Sequence, residues 1–331
     1  AIKEMSILSA RVPDAASLAW GLPSFPAPDP IREAVTCALE DDPKTGMYTL
    51  PGGLTELCAA AAREHECGTG QRVDPNTRVM VTAGNVEGLQ AVFQAIVDPG
   101  DEVIVTDPGF VSHISQIEFN GGVPVFWTMD EAGGWDLDVD ALPGLIGPRT
   151  KAIVLVNPSN PTGAVLSEET LRAAAAIARD HGLLIIIDDP YSHFVYDSHD
   201  RYYDLAADPE FVDHVAYLFT FSKAYAMSGW RVGYMVVPEA LRAEIVKIHD
   251  LTMICTPRIS QVAALAALDS EPTHLAEFER ILDRRRALIC ERLDRLSHVF
   301  RYIRPQGAYY VFPRILADQE NAVQFSHDLL D

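Results

Sequence analysis

One lysine in the sequence stands where chemistry would explain it better than surface charge. The segment "TFSKAYAMSGWRVGY" covers residues 220–234 and contains Lys223, one of five lysines in a chain with twenty-one arginines. An arginine would serve equally well as a surface cation, but its guanidinium keeps its proton. A lysine amine can lose its proton and attack a carbonyl carbon. Lys223 is flanked by hydroxyl and apolar residues, and it is therefore the first candidate for a nucleophile.

The elements that must position Lys223 are predicted from apolar runs that alternate with helical stretches between residues 75 and 237. The runs are "RVMVTA", "DEVIVTD", "VPVFW", "KAIVLVN", "LLIIIDD", "VAYLFTF" and "RVGYMVV". "SEETLRAAAAIARDHG" is typical of the helices between them, with Ser167 as its predicted N-cap and Gly182 at its predicted end. Continuous apolar strands separated by helices favour an α/β fold with a mainly parallel sheet covered on both faces.

Ligands of such a sheet lie beyond the carboxyl ends of the strands, where loops and helix N-termini converge. The residues at those ends therefore show which groups could bind a ligand together with Lys223. They are Gly84 and Asn85, Asp107 to Phe110, Asn157 to Gly163, Asp188 to Tyr191, and Thr220 to Lys223. Such a set could hold an electron-poor ring that needs an anion on one side, a phosphate and a lysine.

Three motifs, in this order and spacing, resemble the class I/II aminotransferases, which are fold type I enzymes that use pyridoxal 5'-phosphate. The motifs are "NPSNPTG" (157–163), "IDDPYSHFVYD" (187–197) and the Lys223 segment. The resemblance extends from about Trp20 to Tyr310. It implies a seven-stranded, mainly parallel sheet sandwiched by helices, a smaller α/β domain, and transfer of an amino group between an amino acid and a 2-oxo acid.

The resemblance implies roles for four residues around the cofactor ring. Lys223 would form the Schiff base, and once released it would move a proton between the substrate Cα and the cofactor. Asp188 ends a buried strand, where an unpaired carboxylate is costly, and would face the pyridinium nitrogen. Tyr191 and Asn160 would donate to the phenolic oxygen of the cofactor. Asn160 would also lie beside the substrate.

The resemblance also implies a set of residues for the phosphate. Arg231 would bind it with its planar guanidinium, and Thr220 and Ser222 would add hydroxyl groups. Gly84 and Asn85 open a predicted helix whose free N–H groups would point at the same anion.

Three further residues match family positions around the ring, the substrate and the subunit interface. Phe110 in "DPGFVSH" would stack on the pyridine ring, and Gly21 in "WGLPSF" would approach the substrate carboxylate with its backbone. Tyr48 in "GMYTLPGG" resembles a tyrosine that reaches the phosphate across a dimer interface, which implies a homodimer with shared active sites. His113 either matches a residue that contacts the equivalent of Asp188 in some relatives or is an incidental loop histidine.

Two departures from the family pattern leave the substrate open. Residues 188–191 read Asp-Asp-Pro-Tyr instead of the Asp-Glu-x-Tyr common in the aspartate aminotransferase branch, which leans toward an aminoadipate-like branch. The arginine that binds the substrate carboxylate in the family lies well beyond "GAYY", and Arg301, Arg304 and Arg314 come too early. Either the chain is incomplete at its C-terminus or it does not use that arginine.

We predict a division of the chain into three parts. Residues 1–30 form an N-terminal arm that belongs to the small domain, and residues 31–265 form the large cofactor-binding domain. Residues 266–331 form a connecting helix and an apparently incomplete small domain. Its segments are the amphipathic "LAEFERILDRRRALICERLDRL", the strand-like "GAYYVFP" and a last helix.

Composition excludes several classes of partner. The formal net charge of −21 argues against nucleic acid and anionic membranes, which select basic patches. No apolar stretch reaches the length of a membrane span, and residues 1–20 lack a signal-peptide pattern. The five scattered cysteines favour reduced thiols in the cytoplasm and predict neither a disulfide framework nor a metal site.

Three other functions are alternatives to transamination: a hydrolase, a lyase and a cofactor-sensing regulator. "KTG" at 44–46 precedes "TFSK", which is the reverse of the β-lactamase order, and S-D-N is absent, so a hydrolase of that type is excluded. A pyridoxal-phosphate lyase that eliminates a β-substituent starts from the same proton abstraction, and motifs around the cofactor do not separate it from a transaminase. A cofactor-sensing regulator would need a basic DNA-binding domain, which residues 1–30 are too short to supply.

Overall fold

All of the predicted apolar runs form strands of one sheet in the computed structural model, which describes residues 7–12, 14, 18, 21–197, 202–316 and 321–330. The strands are β1 (Val79–Thr82), β2 (Glu102–Asp107), β3 (Val123–Asp130), the two-residue β4 (Asp136–Leu137), β5 (Thr150–Val156), β6 (Leu184–Asp189), β7 (Val215–Thr220) and β8 (Gly233–Val236). The short β4 is the one addition to the seven predicted strands, and it pairs with the end of β3. Trp20 and much of the predicted arm lie outside the described residues.

The direction of the strands explains why one edge of the sheet collects so many polar groups. The order across the sheet is β1-β8-β7-β6-β5-β2-β3-β4, and β3, β2, β5, β6 and β7 pair in parallel. β8 runs antiparallel to both of its neighbours, β7 and β1. The first residues of β8 therefore lie at the same edge as the last residues of β1, β6 and β7. The prediction of a mainly parallel sheet is confirmed.

Helices cover both faces of this sheet, as the unbroken apolar strands require. In chain order they are α1 (Asp29–Asp41), α2 (Thr55–Thr69), α3 (Asn85–Ile96), α4 (Val111–Phe119), α5 (Glu168–Asp180), the four-residue α6 (Phe221–Ala224), α7 (Glu239–Met253) and α8 (Arg258–Asp269). Alternate strand residues join opposite cores: Val79 and Val81 pack with α1, α2, α5 and α8, whereas Met80 packs with α3, α4 and α7. Among the described residues, no helix is both long and apolar enough to cross a membrane.

The predicted limits of α5 are confirmed. The Ser167 hydroxyl accepts a hydrogen bond from the Thr170 N–H at 3.0 Å, which satisfies one of the free donors of the first turn. Gly182, just beyond the helix, has a φ of 67°, a conformation that glycine adopts at little cost.

The last part of the chain contains α9 (Thr273–Asp294), β9 (Phe300–Arg301), β10 (Arg314–Ile315) and α10 (Ala322–Asp328). The long amphipathic helix and the final helix agree with the prediction, but the strand expected over "GAYYVFP" is wrong. Ala308 has a φ of 55°, which breaks the extended backbone, and Tyr309 follows it in a turn. The predicted boundary between residues 265 and 266 falls within α8, which packs against α1 and α2. The division into domains stays a prediction.

Candidate active site

Lys223 lies in α6, directly after β7, at the edge of the sheet predicted to bind a ligand. Its Nζ donates a hydrogen bond to the Gly21 carbonyl at 2.6 Å and lies 5.7 Å from the ring centre of Tyr309. Burial lowers the pKa of the Lys223 amine to about 8, Asp188 opposes this shift, and Arg231 adds to it. A substantial fraction of this amine is therefore neutral, and hence nucleophilic, at a pH near 8.

Asp188 is the second-last residue of β6 and is 4% exposed. Its Oδ1 accepts a hydrogen bond from Asn85 Nδ2 at 2.7 Å, and His113 Nε2 lies 3.1 Å from its Oδ2. The histidine that the sequence left open therefore contacts the carboxylate. A buried carboxylate held by an amide and an imidazole keeps a fixed direction, which suits a group that must face one atom of a ligand.

Arg231, two residues before β8, lies against the β1–α3 turn at Ala83 and Gly84. These three residues form a site suited to an anion, called the anion cradle below. Arg231 donates from Nη2 to the Ala83 carbonyl at 3.2 Å and from Nη1 to the Ser228 carbonyl at 3.0 Å. Gly84 has a φ of 80°, and a Cβ placed there would lie 2.5 Å from Arg231 Nη2. A glycine is therefore required at this position. It precedes α3, whose first N–H groups have no acceptor within the helix, so a guanidinium and a helix N-terminus converge.

Two hydroxyl groups lie beside Lys223. Thr220 donates from Oγ1 to Ser222 Oγ at 2.9 Å and accepts from the Ser222 N–H at 3.2 Å, and both residues are buried. Thr220 is the last residue of β7, and Ser222 lies in α6. The neighbouring strand β8 begins two residues after Arg231.

A pair of tyrosines faces the lysine, and sequence reasoning identified only one of them. The hydroxyl oxygens of Tyr191 and Tyr310 lie 2.5 Å apart. Burial raises the pKa of both hydroxyls, so both keep their protons. One hydroxyl proton forms the hydrogen bond between the two oxygens, and the other can be donated to an acceptor in the site. The available signal for Tyr310 was the tyrosine doublet in "GAYY".

Gly21 reaches the site with its carbonyl toward Lys223. A Cβ placed on Gly21 would lie 2.8 Å from Tyr310 Cζ and even closer to the hydroxyl oxygen. No side chain fits there, which explains a glycine on grounds of space. Gly21 is thus in contact with both Tyr310 and Lys223.

The remaining predicted residues differ in how closely they approach this group. Phe110 lies edge-on to His113, with ring centres 5.3 Å apart, and packs in the apolar cluster that includes Tyr191. Asn160 is half-buried in the 157–163 turn, which contacts the Tyr310 segment at Gly163. Tyr48 is 76% exposed, and a single chain does not bring it to the other predicted residues.

The arginines near the end of the chain are engaged elsewhere. Arg301 and Arg314 both donate to the Glu131 carboxylate, Arg314 from Nε at 2.9 Å. Arg304 is exposed. This agrees with the sequence argument that none of the three is the family's substrate-binding arginine.

The assembled residues fit pyridoxal phosphate. A partly neutral amine, a buried carboxylate and an arginine at a helix N-terminus match its aldehyde, ring nitrogen and phosphate. One buried polar atom near this edge, Asn85 Oδ1, has no hydrogen-bond partner within the described ranges. Gly233 lies close to this oxygen: a Cβ placed on Gly233 would be 3.1 Å from Asn85 Oδ1.

Comparison with known proteins agrees with this chemistry. The model of the family "Aminotransferase class I and II" matches residues 14–331. Aspartate aminotransferase from Pyrococcus horikoshii is 32% identical over 332 residues, which cover 100% of this chain and 83% of that protein. A probable aspartate/prephenate aminotransferase from Thermus aquaticus is 36% identical over 321 residues, which cover 96% of this chain and 81% of that protein.

Solved structures give the same result. A single mutant of Thermus thermophilus aspartate aminotransferase superposes with a TM-score of 0.92 at 32% identity, covering 99% of this chain and 84% of that one. Alanine aminotransferase from Pyrococcus furiosus has a TM-score of 0.92 at 30% identity, covering 99% and 85%. These matches are all aminotransferases and give no support to the lyase alternative. The chain therefore belongs to the class I and II aminotransferases, and it is a pyridoxal-phosphate-dependent aminotransferase of fold type I.

Proposed function

We propose that Lys223 is the residue that forms the Schiff base with pyridoxal phosphate and that it moves the proton of the substrate Cα. The observation that carries this proposal is the lowered pKa of its amine, about 8, at the edge of the sheet that also holds Asp188 and Arg231. When bound, the cofactor supplies an electron sink for the negative charge that develops at the substrate Cα. The released Lys223 amine is positioned to take that proton and return it to a neighbouring carbon.

The other residues divide between holding the ring and holding the phosphate. Asp188 stabilises positive charge at the ring nitrogen, and Asn85 and His113 keep its carboxylate in place. Tyr191, together with Asn160, donates to the phenolic oxygen, and Phe110 stacks on the ring. The phosphate is bound by Gly84, Asn85, Thr220, Ser222 and Arg231.

The proposed substrates are an amino acid and a 2-oxo acid, which approach beside Gly21 and Asn160. The relatives described above are named for aspartate, for aspartate/prephenate and for alanine, so their names do not agree on one side chain. A panel of amino donors with 2-oxo acid acceptors, assayed for keto product and for ammonia, identifies the side chain. Release of ammonia in place of amino transfer would contradict the proposed reaction.

The first prediction is that borohydride reduction of the cofactor-loaded protein places a stable label on Lys223. The reason is that Lys223 combines a lowered pKa with a position at the sheet edge that holds Asp188. Peptide mapping after reduction measures the position of the label. The control is Lys247, an exposed lysine whose Nζ lies 2.7 Å from Glu244 Oε1. A main label on Lys247 or on any lysine other than Lys223 would defeat the assignment.

We further propose a homodimer in which Tyr48 reaches the phosphate of the partner's site. Two exposed apolar residues, Met47 and Leu50, lie next to Tyr48 in the sequence. Two more, Leu251 and Ile254, lie at the end of α7. The Tyr48 loop is held firmly, because Gln261 accepts from the Leu54 N–H at 2.7 Å and donates to Thr49 Oγ1 at 2.9 Å. An ordered loop with an exposed tyrosine suits contact with a second copy of the chain. The free thiols of all five cysteines support the proposed cytoplasmic location.

A Tyr48→Phe variant should bind the cofactor more weakly by about 1–2 kcal/mol, the loss of one hydrogen bond to a charged group. Dimerisation should persist, because the ring and its apolar neighbours remain. Equilibrium binding and sedimentation measure the two effects. A Tyr302→Phe variant, which removes a hydroxyl bound to Asp294 at 2.8 Å, is the control. A monomer with unchanged cofactor affinity would rule out the shared site.

A further inference from the structure

The turn that carries the anion cradle is supported by the half-buried Glu87 and the buried His249, to which the proposed function gives no role. Glu87, in the first turn of α3, accepts the Ala83 N–H with Oε2 at 3.0 Å. Its Oε1 lies 2.8 Å from Nδ1 of His249, a residue of α7 that is completely buried. We propose that Glu87 and His249 are positioning residues that hold the Ala83–Gly84 turn in the shape that binds the cofactor phosphate. This inference rests on the proposed phosphate site.

The turn is held at both polar groups of Ala83. Glu87 binds its N–H, and Arg231 binds its carbonyl from Nη2 at 3.2 Å. Because the carbonyl and the N–H of one peptide point in opposite directions, fixing the Ala83 carbonyl also fixes the Gly84 N–H. Gly84 itself has a positive φ and no space for a Cβ. Loss of either anchor would let this glycine-containing turn take other conformations.

The imidazole ring of His249 hydrogen-bonds to the Glu87 carboxylate through one nitrogen only. Its Nε2 has no hydrogen-bond partner within the described part of the chain. α3 and α7 pack together here through the apolar cluster that contains Leu89, Val92 and Ile245. A ring with one unpartnered nitrogen in such surroundings is best accommodated as the tautomer whose Nδ1–H donates to Glu87. The imidazole thereby fixes which way the carboxylate faces.

Two effects of Glu87 on the phosphate oppose each other. A carboxylate in the first turn of α3 uses the positive end of the helix dipole and repels a phosphate bound at the same end. It also fixes the turn through a charge-assisted hydrogen bond. We expect the positioning effect to dominate, because the carboxylate is occupied on both oxygens, by Ala83 and by His249. Removal of the side chain should then weaken phosphate binding, whereas simple charge repulsion would strengthen it.

The test compares pyridoxal phosphate with pyridoxal, which lacks the phosphate, in equilibrium binding to cofactor-free protein. Glu87→Ala should raise the Kd of pyridoxal phosphate by roughly 10- to 100-fold and that of pyridoxal by less than about 3-fold. Glu87→Gln, which keeps an acceptor for Ala83, should stay within about 5-fold of the unchanged protein for both ligands. His249→Phe should weaken pyridoxal phosphate by about 3- to 10-fold, and His249→Gln should restore most of that loss. Inorganic phosphate should compete less well in Glu87→Ala.

Glu244→Ala is the matched control, because it removes an exposed carboxylate from α7 that pairs with Lys247. Equal losses for pyridoxal and pyridoxal phosphate in Glu87→Ala would mean general destabilisation and would overturn the inference. Tighter binding of pyridoxal phosphate by both Glu87 variants would overturn it as well. Arg231→Ala separates the two levels: if it fails to weaken pyridoxal phosphate selectively, the proposed phosphate site is wrong and this inference falls with it. If Arg231→Ala weakens pyridoxal phosphate selectively but Glu87→Ala does not, the proposed phosphate site stands and only this inference is wrong.

Discussion

A Lys223→Ala variant should lose at least ~10⁴-fold in kcat for transamination, the largest effect expected of any single substitution in this protein. The substitution removes the amine that holds the cofactor and the base that moves the Cα proton. Of the other described lysines, Lys44 is exposed, and Lys151 and Lys247 pair with Asp101 and Glu244. Proton transfer by a positioned side chain contributes ~10²–10⁴-fold by itself. Loss of the covalent route adds to that.

The same variant should not lose stability. Burial lowers the pKa of the Lys223 amine from 10.5 to about 8, so the charged form is less favourable in the folded state than in the unfolded state. The resulting penalty is absent above about pH 10.5 and grows as the pH falls to about 8, below which it is complete. Alanine removes this penalty, and the melting temperature of the cofactor-free protein near neutral pH should be unchanged or higher.

Steady-state kinetics and thermal unfolding of Lys223→Ala and Lys247→Ala provide the measurement. Lys247→Ala should change kcat by less than about 2-fold, because its amine is exposed and pairs only with a surface glutamate. A Lys223→Ala protein that retains a tenth or more of the original kcat would show that another group performs both steps. The assignment of the nucleophile would then have to be abandoned.

Asp188→Asn should lower kcat by about 10³-fold while cofactor affinity changes by less than about 10-fold. Two opposite charges 4 Å apart interact by about 4 kcal/mol at an effective dielectric constant of 20, and 1.4 kcal/mol corresponds to a factor of ten. The asparagine keeps the size of the side chain and can still bond to Asn85 or His113. It cannot balance a positive ring nitrogen, so the cost should appear in the proton-transfer step.

The neighbouring Asp189 offers a matched control on the same strand. It is equally buried, burial raises its pKa, and it accepts hydrogen bonds from Tyr217 Oη at 2.8 Å and from the Ser192 N–H at 2.9 Å. Asp189→Asn should therefore lower the unfolding temperature more than it lowers kcat per bound cofactor. Single-turnover kinetics on cofactor-loaded protein separates these effects. If Asp188→Asn lost cofactor as readily as Arg231→Ala while keeping its activity per bound cofactor, the proposed division between ring and phosphate residues would be wrong.

The sheet, its covering helices and the edge at which the site forms could all be predicted from the amino-acid sequence. Unbroken apolar runs predicted every major strand, because a strand buried on both faces needs apolar side chains in both directions. The position of Asp188 and Lys223 follows from the same reasoning, since Asp188 is the second-last residue of β6 and Lys223 comes shortly after the end of β7. Their spacing along the chain sufficed to indicate the family.

Which loops meet at that edge could not be predicted, because it depends on how distant parts of the chain pack. Tyr310 joins Tyr191 across 119 positions of the chain, and His113 joins Asp188 across 75. "GAYYVFP" has the local composition of a strand, yet Ala308 adopts a left-handed conformation and the segment turns toward the lysine. Tyr48 remains exposed in a single chain. Local periodicity reports how a segment can bury its own side chains, whereas a contact between distant loops depends on the packing of everything between them.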